Sequence, residues 1–424
     1  MEAGGNGGAG RRALIAWCLY DWANSAFPAV IATFVFAAYF TKAVAVDEVT
    51  GTSQWAYAMS LSALAVAVAG PIFGAVADHT GRRKPWVLAF TILCVGATAL
   101  LWFARPEAGD VIWALAFAAV ANFAFETGTV FYNAMLPTLA PRPMIGRWSG
   151  WGWGLGYAGG LVCLVLALVV LVQPETAPFG LDKGADEQVR ATTLLVAGWF
   201  AVFAVPFFLF TPDAPATGLP LAEAVRQGMA TLLATFVRIR AYRQIALFLL
   251  ARMIYTDGLN TLFSLGGIYA AVTFGMDFTE ILLFGIAMNV TAGIGAFAFG
   301  WVDDWIGAKR TLLIAISALT VLGALLLVVE TKTLFWVFAL PLGLFFGPAQ
   351  SASRSLMARM APPDLTTEMF GLYALSGKAT AFVGPAVFGW VTAISGSQRA
   401  GLATVLVFFV IGMALLLPVR DVRA

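Results

Sequence analysis

Charge is what this 424-residue chain has least of: Asp, Glu, Lys and Arg together make up 11%, against 60% hydrophobic residues. Soluble domains carry roughly 25% charged residues, so the balance excludes a soluble enzyme. Histidine is nearly absent as well. The single one, His79, stands between apolar runs, which argues against a histidine proton relay. Cys18, Cys94 and Cys163 are the only cysteines, each inside an apolar run, at neither metal-ligand nor disulfide spacing. No metal site or cofactor is expected from them. The sequence also lacks a Walker-type loop and a nucleophile with a positioned base, so ATP hydrolysis within this chain is excluded. The net charge of +2 is spread between apolar blocks and leaves no nucleic-acid footprint.

What the chain has is apolar length. Runs near 13–41, 54–77, 86–104, 110–137, 147–172 and 191–210 are followed by a polar, Pro-containing segment over 211–243. Six more follow near 244–272, 278–302, 310–329, 333–356, 367–394 and 400–418. Each is long enough to cross a hydrocarbon core of roughly 30 Å. The reading is an all-α membrane protein of twelve transmembrane helices in two six-helix bundles, 1–210 and 244–424, joined by a central loop over 211–243. The first run is too long for a signal-peptide core and reads as a retained helix. With both termini on one side, seventeen of the 25 Lys and Arg share that side and six lie opposite. Basic residues accumulate in cytoplasmic loops, so the termini and the central loop are expected in the cytoplasm. Trp86, Trp148, Trp305 and Trp336 fall at span ends, where interfacial Trp belongs.

The two halves repeat one another. Gly74-x-x-x-Asp78-x-x-Gly81-Arg82-Arg83 after span 2 returns, 226 residues later, as Gly300-x-x-x-Asp304-x-x-Gly307-x-Lys309-Arg310 after span 8. Asp21-x-x-Asn24 in span 1 returns as Asp257-x-x-Asn260 in span 7, each followed by Ser or Thr and then Phe. Ala-Pro ends both span 4 and span 10, at Ala140-Pro141 and Ala361-Pro362. Duplicated units of this kind are common in transporter folds.

These residues resemble the major facilitator superfamily, whose loop between spans 2 and 3 has the same Gly-x-x-x-Asp-x-x-Gly-[Arg/Lys]-[Arg/Lys] form. The strings YDWANSAF (20–27), GWGWGLGYAGG (150–160) and FGLYALSGK (370–378) look more narrowly like its vacuolar amino-acid effluxer-like branch. The short loops are similar to those of a bacterial member, for which a vacuolar address does not carry over. The resemblance implies pseudo-symmetric bundles, alternating access and a small-molecule substrate, with a monomer as the expected unit in the bilayer. It also implies a conformational latch of Gly74, Asp78, Gly81, Arg82 and Arg83, with Asp304, Lys309 and Arg310 as its weaker copy. His79 stands where many members carry Arg.

Ionisable groups inside spans cost at least ~2.5 kcal/mol on insertion scales and usually face water or a partner. Glu126 lies about 16 Å from the end of span 4 at Pro137, and Lys378 about 18 Å past Thr366, both near mid-membrane. Asn122, Glu126, Thr129 and Asn133 form one stripe of span 4; Asp257, Asn260 and Ser264 form one of span 7. Asp21 and Asn24 share a face of span 1. The candidate substrate-binding or coupling set is therefore Glu126, Lys378, Asp257, Arg252, Asn122, Asn133, Asn260, Asp21 and Asn24, with Tyr157 added from span 5. A zwitterion suits such a set, its carboxylate on Lys378 or Arg252 and its ammonium on Glu126 or Asp257; either acid is also a candidate proton carrier. The alternative is a set of fixed ion pairs, such as Asp21 with Arg252. Arg354, near the end of span 10, reads as an interface anchor. Gly152, Gly156 and Gly160 form a small-residue ridge on span 5, and Gly384-Pro385 marks a bend in span 11. Secondary export of amino acids or similar small polar solutes is the leading expectation. A multidrug or lipid-like exporter is the alternative, and a non-transporting receptor the third reading.

Overall fold

The computed structural model describes residues 7–176, 178–237 and 240–420. Arg238 and Arg423, two of the basic residues counted above, lie outside them. The expected apolar runs are all helical, because a backbone in hydrocarbon has to satisfy its own hydrogen bonds. Spans 2 to 6 run Glu48–Thr80, Lys84–Phe103, Ala108–Leu139, Arg142–Val172 and Glu187–Phe210. Spans 7 to 10 are Arg243–Phe274, Glu280–Ile306, Ala308–Val328 and Lys332–Met360, and span 12 is Gln398–Leu416.

Spans 1 and 11 are irregular, and both irregularities fall beside candidate residues. Span 1 is α-helical over Gly7–Asn24 and then passes through π-helical stretches at Phe27–Phe34 and Phe40–Val44. Regular helix thus ends at Asn24, one turn after Asp21; π-bulges are frequent at functional sites. Span 11 consists of two helices, 11a (Thr366–Lys378) and 11b (Val383–Ser395). The break at 379–382 lies just upstream of the bend expected at Gly384-Pro385. Pro385 donates no N–H, and its ring crowds the carbonyl four residues back, at Ala381.

Contacts divide the chain into two compact units. Unit 1 comprises Met1–Ala69, Thr80–Met135 and Leu155–Gly218; unit 2 comprises Gly70–His79, Leu136–Gly154 and Leu219–Ala424. Unit 1 is centred on aromatic rings. Trp17 stacks on Tyr132 at 4.5 Å, and each of the two donates a side-chain hydrogen bond to the other's carbonyl. Tyr20 packs on Tyr132 and Phe207, with its hydroxyl 2.7 Å from Thr91 Oγ1. Helix ends are closed by charge. Asp213 accepts the Arg83 and Lys84 N–H groups at the start of span 3, while Lys84 donates to the Phe208 and Thr211 carbonyls at the end of span 6.

Span 5 carries two glycine ridges where one is expected. Gly156 and Gly160 pack on span 1, joined by Gly159, whose added Cβ would lie 2.3 Å from the Trp22 carbonyl. The second ridge, Gly146, Gly150 and Gly154, faces span 8 within unit 2; a Cβ on Gly150 would stand 2.4 Å from the Ala296 carbonyl. Such approach is open only to small residues. Trp148, expected at the interface, is 5% exposed and packs edge-on against Trp151, whereas Trp305 is 86% exposed and fits an interfacial place. The three cysteines are buried and free.

Candidate functional site

Four clusters hold the candidate residues. On span 4, Asn122 Nδ2 donates to Ser62 Oγ at 2.9 Å, and Ser62 donates onward to the Ala119 carbonyl. That pairing fixes Asn122 against span 2. Glu126 and Asn133 continue the stripe half-buried, and Thr129 turns its hydroxyl back to the Glu126 carbonyl. Asp21, Asn24 and Tyr157 complete the unit 1 set. Asp21 and Asn24 are buried, and Gly156, next to Tyr157, packs directly on the Asp21 turn.

In unit 2, spans 7 and 11 meet at the break. Arg252 Nη1 donates to the Tyr373 carbonyl at 2.6 Å and to Ser376 Oγ at 2.8 Å, with its guanidinium 3.5 Å from the centre of the Tyr373 ring. It forms no ion pair among the described residues; Arg252 braces the last turn of helix 11a, where cations favour the carbonyl end of a helix. Asp257 is 3% exposed, with the Thr380 side chain beside its carboxylate and Gly384 packed against its backbone. Lys378 is the last residue of 11a, half-buried at the same break. Asn260 makes no hydrogen bond among the described residues, and Ser264 is exposed. The structure thus brings Asp257, Arg252 and Lys378 to one helix break, and leaves Ser264 outside it.

The third cluster is the first loop motif. Asp78 accepts the Thr367 and Glu368 backbone N–H groups at 3.0 and 2.9 Å, capping the N-terminus of helix 11a. Gly74 is required by this approach, since a Cβ there would lie 2.5 Å from the Thr367 carbonyl. Gly371 meets Gly70 and Pro71 backbone equally closely. Gly81 adopts φ +81° and turns the chain into span 3. Arg82 is exposed and makes no contact with a carboxylate among the described residues, and Arg83 is 7% exposed. The contact of the first loop motif with helix 11a is therefore built on Asp78 and a helix N-terminus, with Arg82 outside it. Substituting Gly371 by Leu should force span 2 and helix 11a apart; maleimide labelling of a cysteine at Ala374 should rise several-fold, and unchanged labelling would refute the close packing.

The second loop motif differs from its expected pairing. Asp304 meets Arg147 at 3.5 Å and Arg359 at 3.4 Å, whereas Lys309 donates to the Leu417 carbonyl at the end of span 12. Lys309 is thus corrected from a partner of Asp304 to a helix cap. Beside it lies a pair that repeat reading passes over: Arg359 Nη2 and Asp303 Oδ1 at 2.9 Å, with side chains only 5% and 3% exposed, and Ser355 donating to the same carboxylate. The one available signal was the doubled acid in Trp301-Val302-Asp303-Asp304, of which the motif accounts for the second alone. Arg354 is corrected too: it is 2% exposed, donates to Ser149 Oγ and to the Ser149 carbonyl, and lies 5.6 Å from the Trp153 ring centre. It ties span 10 to span 5 within unit 2.

Comparison with known proteins agrees with this architecture. The family described as "Vacuole effluxer Atg22 like" matches residues 40–146 and 144–424. An "Uncharacterized MFS-type transporter YxiO" of Bacillus subtilis is 28% identical, with 94% of this chain and 93% of that protein covered. "Autophagy-related protein 22" of Coccidioides immitis is 22% identical over 83% of this chain and 70% of its own length. Among solved structures, the E. coli fucose:proton symporter FucP superposes with a TM-score of 0.74 at 13% identity, covering 96% of this chain and 97% of that one. The human organic anion transporter MFSD10 superposes with 0.72 at 15% identity, covering 96% and 99%. The chain belongs to the vacuole effluxer Atg22-like family and is a transporter of the major facilitator type, not an enzyme.

Proposed function

We propose that this transporter is a bacterial cytoplasmic-membrane exporter of amino acids or similar small polar solutes, working as a monomer with both termini in the cytoplasm. The observation that supports the reading is that ionisable groups of both signs lie within the long apolar helices. Glu126 lies mid-way along span 4, Asp257 packs beside Thr380 and Gly384 at the break of span 11, and Lys378 is the last residue before that break. Maintaining such groups in hydrocarbon is costly, and a zwitterion offers each a partner of opposite sign. Arg252 is already committed to Tyr373 and Ser376, so Lys378 is the cation assigned to a substrate carboxylate. Asp257, in the same unit as Lys378, is assigned the ammonium, and Glu126 is the candidate carrier of a coupling proton. The family description as an effluxer supports export, and the excess of basic residues at one end supports the orientation.

Counterflow tests the reading. Proteoliposomes preloaded with unlabelled amino acids should accumulate a labelled amino-acid mixture above empty vesicles. Asp257→Asn and Lys378→Met should each lower the rate ~100-fold, as expected from roughly 3 kcal/mol of lost charge-assisted bonding. Folded wild type without uptake would refute the amino-acid reading. Export of cationic dyes in its place would establish the multidrug alternative.

A further inference from the structure

The central loop contains a helix, Leu221–Val237, that the transport reading leaves without a role. One face of it is docked. Ala224 and Leu232 are buried, and Gly228 fits against the backbone of Ala75 and Val76, where an added Cβ would stand at 3.0 Å. Thr231 Oγ1 is 2.9 Å from His79 Nε2, and Thr235 lies beside Glu368 at the start of helix 11a. The helix therefore rests on the Asp78 latch itself.

At about 100° per residue, the side turned away from this docked face carries Val225, Met229, Leu233 and Val237, with the exposed Arg226 between the last two. Val225 is 42% exposed, Leu233 62% and Val237 84%. The remaining flank is polar or small: Glu223, Gln227, Ala230 and Ala234. Glu223 is occupied by Arg226 at 2.8 Å and by Gln227. Beyond the helix, Arg240 and Arg243 are exposed, and the Arg420 N–H donates to the side chain of Gln244, which brings a third exposed arginine to the start of span 7. None of the three arginine side chains has a carboxylate partner among the described residues. Five residues separate Val237 from Arg243 at the head of span 7, a reach of at most about 22 Å, which keeps the apolar flank close to the start of that span.

We propose that the loop helix lies in the membrane interface, with Val225, Leu233 and Val237 in the headgroup–acyl boundary and Arg240, Arg243 and Arg420 on anionic phospholipid headgroups. Apolar flank and cationic patch together are the two components of interfacial binding, and each basic residue near an anionic surface contributes about 1 kcal/mol. Because the docked face meets His79 through Thr231 and Glu368 through Thr235, lipid composition then acts on the strength of the Asp78 contact. A partner protein is disfavoured by the short tether to span 7.

The full chain in nanodiscs provides the test, with an environment-sensitive fluorophore on a cysteine at Leu233 or, on the polar flank, at Ala234. The native cysteines are buried. In discs of phosphatidylcholine with phosphatidylglycerol, the probe at 233 should be blue-shifted and quenched at least two-fold by nitroxide-labelled lipid, and the probe at 234 should not. Arg240→Ala with Arg243→Ala should reduce the quenching in anionic discs to its level in phosphatidylcholine alone. Equal, water-like emission at both positions would overturn the interfacial placement. Quenching independent of phosphatidylglycerol would overturn the headgroup assignment. Quenching that follows protein density, with none from lipid, would show that a second copy covers the flank instead.

Discussion

Replacing Asp303 with Ala should destabilise the protein by about 3–5 kcal/mol, the largest effect expected of any single substitution at the latch. The Arg359–Asp303 pair is almost fully shielded from water, and Ser355 occupies the remaining carboxylate oxygen. Removing one partner of a buried pair leaves the other charge desolvated and uncompensated, which costs far more than the pair contributes when intact. Asp304, 3.4 Å from the same guanidinium, recovers part of the loss, so the lower end of the range is favoured. The corollary separates charge from volume: Asp303→Leu with Arg359→Met should regain most of the stability, because both charges leave together. Thermal unfolding of the detergent-solubilised chain is the measurement. A loss below 1 kcal/mol for Asp303→Ala, or a double variant no better than the single one, would show that the pair is not desolvated as the geometry requires.

Asp78→Ala should act on transport far more than on folding. The carboxylate caps two N–H groups at the start of helix 11a, and losing a cap of this kind costs about 0.5–2 kcal/mol. In a folding equilibrium that is a modest change. In a two-state conformational equilibrium with a few kcal/mol between states, the same energy shifts the population ratio by roughly 2- to 30-fold. Counterflow should therefore fall by about ten-fold while the unfolding temperature moves by a few degrees at most. Asp78→Asn retains one acceptor oxygen and should fall between. Equal losses of rate and stability would assign Asp78 a merely structural role. Arg82→Ala supplies the contrast: its side chain is exposed without a carboxylate partner among the described residues, and its rate should stay within two-fold of wild type.

The repeat motif illustrates what a sequence shows and what it leaves open. It marks Asp78 and Asp304 at once, and both are engaged, yet their partners differ in kind. Asp78 meets backbone N–H groups 289 and 290 residues away; Asp304 meets Arg147 and Arg359. Asp303 escapes notice, and Arg354 is read as an interface anchor, for a related reason. One sits next to a motif acid and the other at a span end, so linear position assigns them to loops and interfaces. Burial at 2% for each is a property of the helices crossing over them. The glycines of span 5 read as one ridge by their four-residue spacing, but Gly146, Gly150 and Gly154 form another, which becomes visible only when span 8 is in place.

The sequence by itself determined that this is a membrane protein, how many spans it has and where each begins and ends within a few residues. Those properties are local: in hydrocarbon each segment has to be apolar and satisfy its own backbone, whatever its neighbours do. Tertiary structure alone decided which charge meets which group. Arg252 closes helix 11a from 121 residues away, and Arg359 neutralises Asp303 from 56 residues away. Helical periodicity fixes the face a side chain occupies, but not the helix that face will meet. That choice is made by the close approach of glycine-lined spans and by the break of span 11.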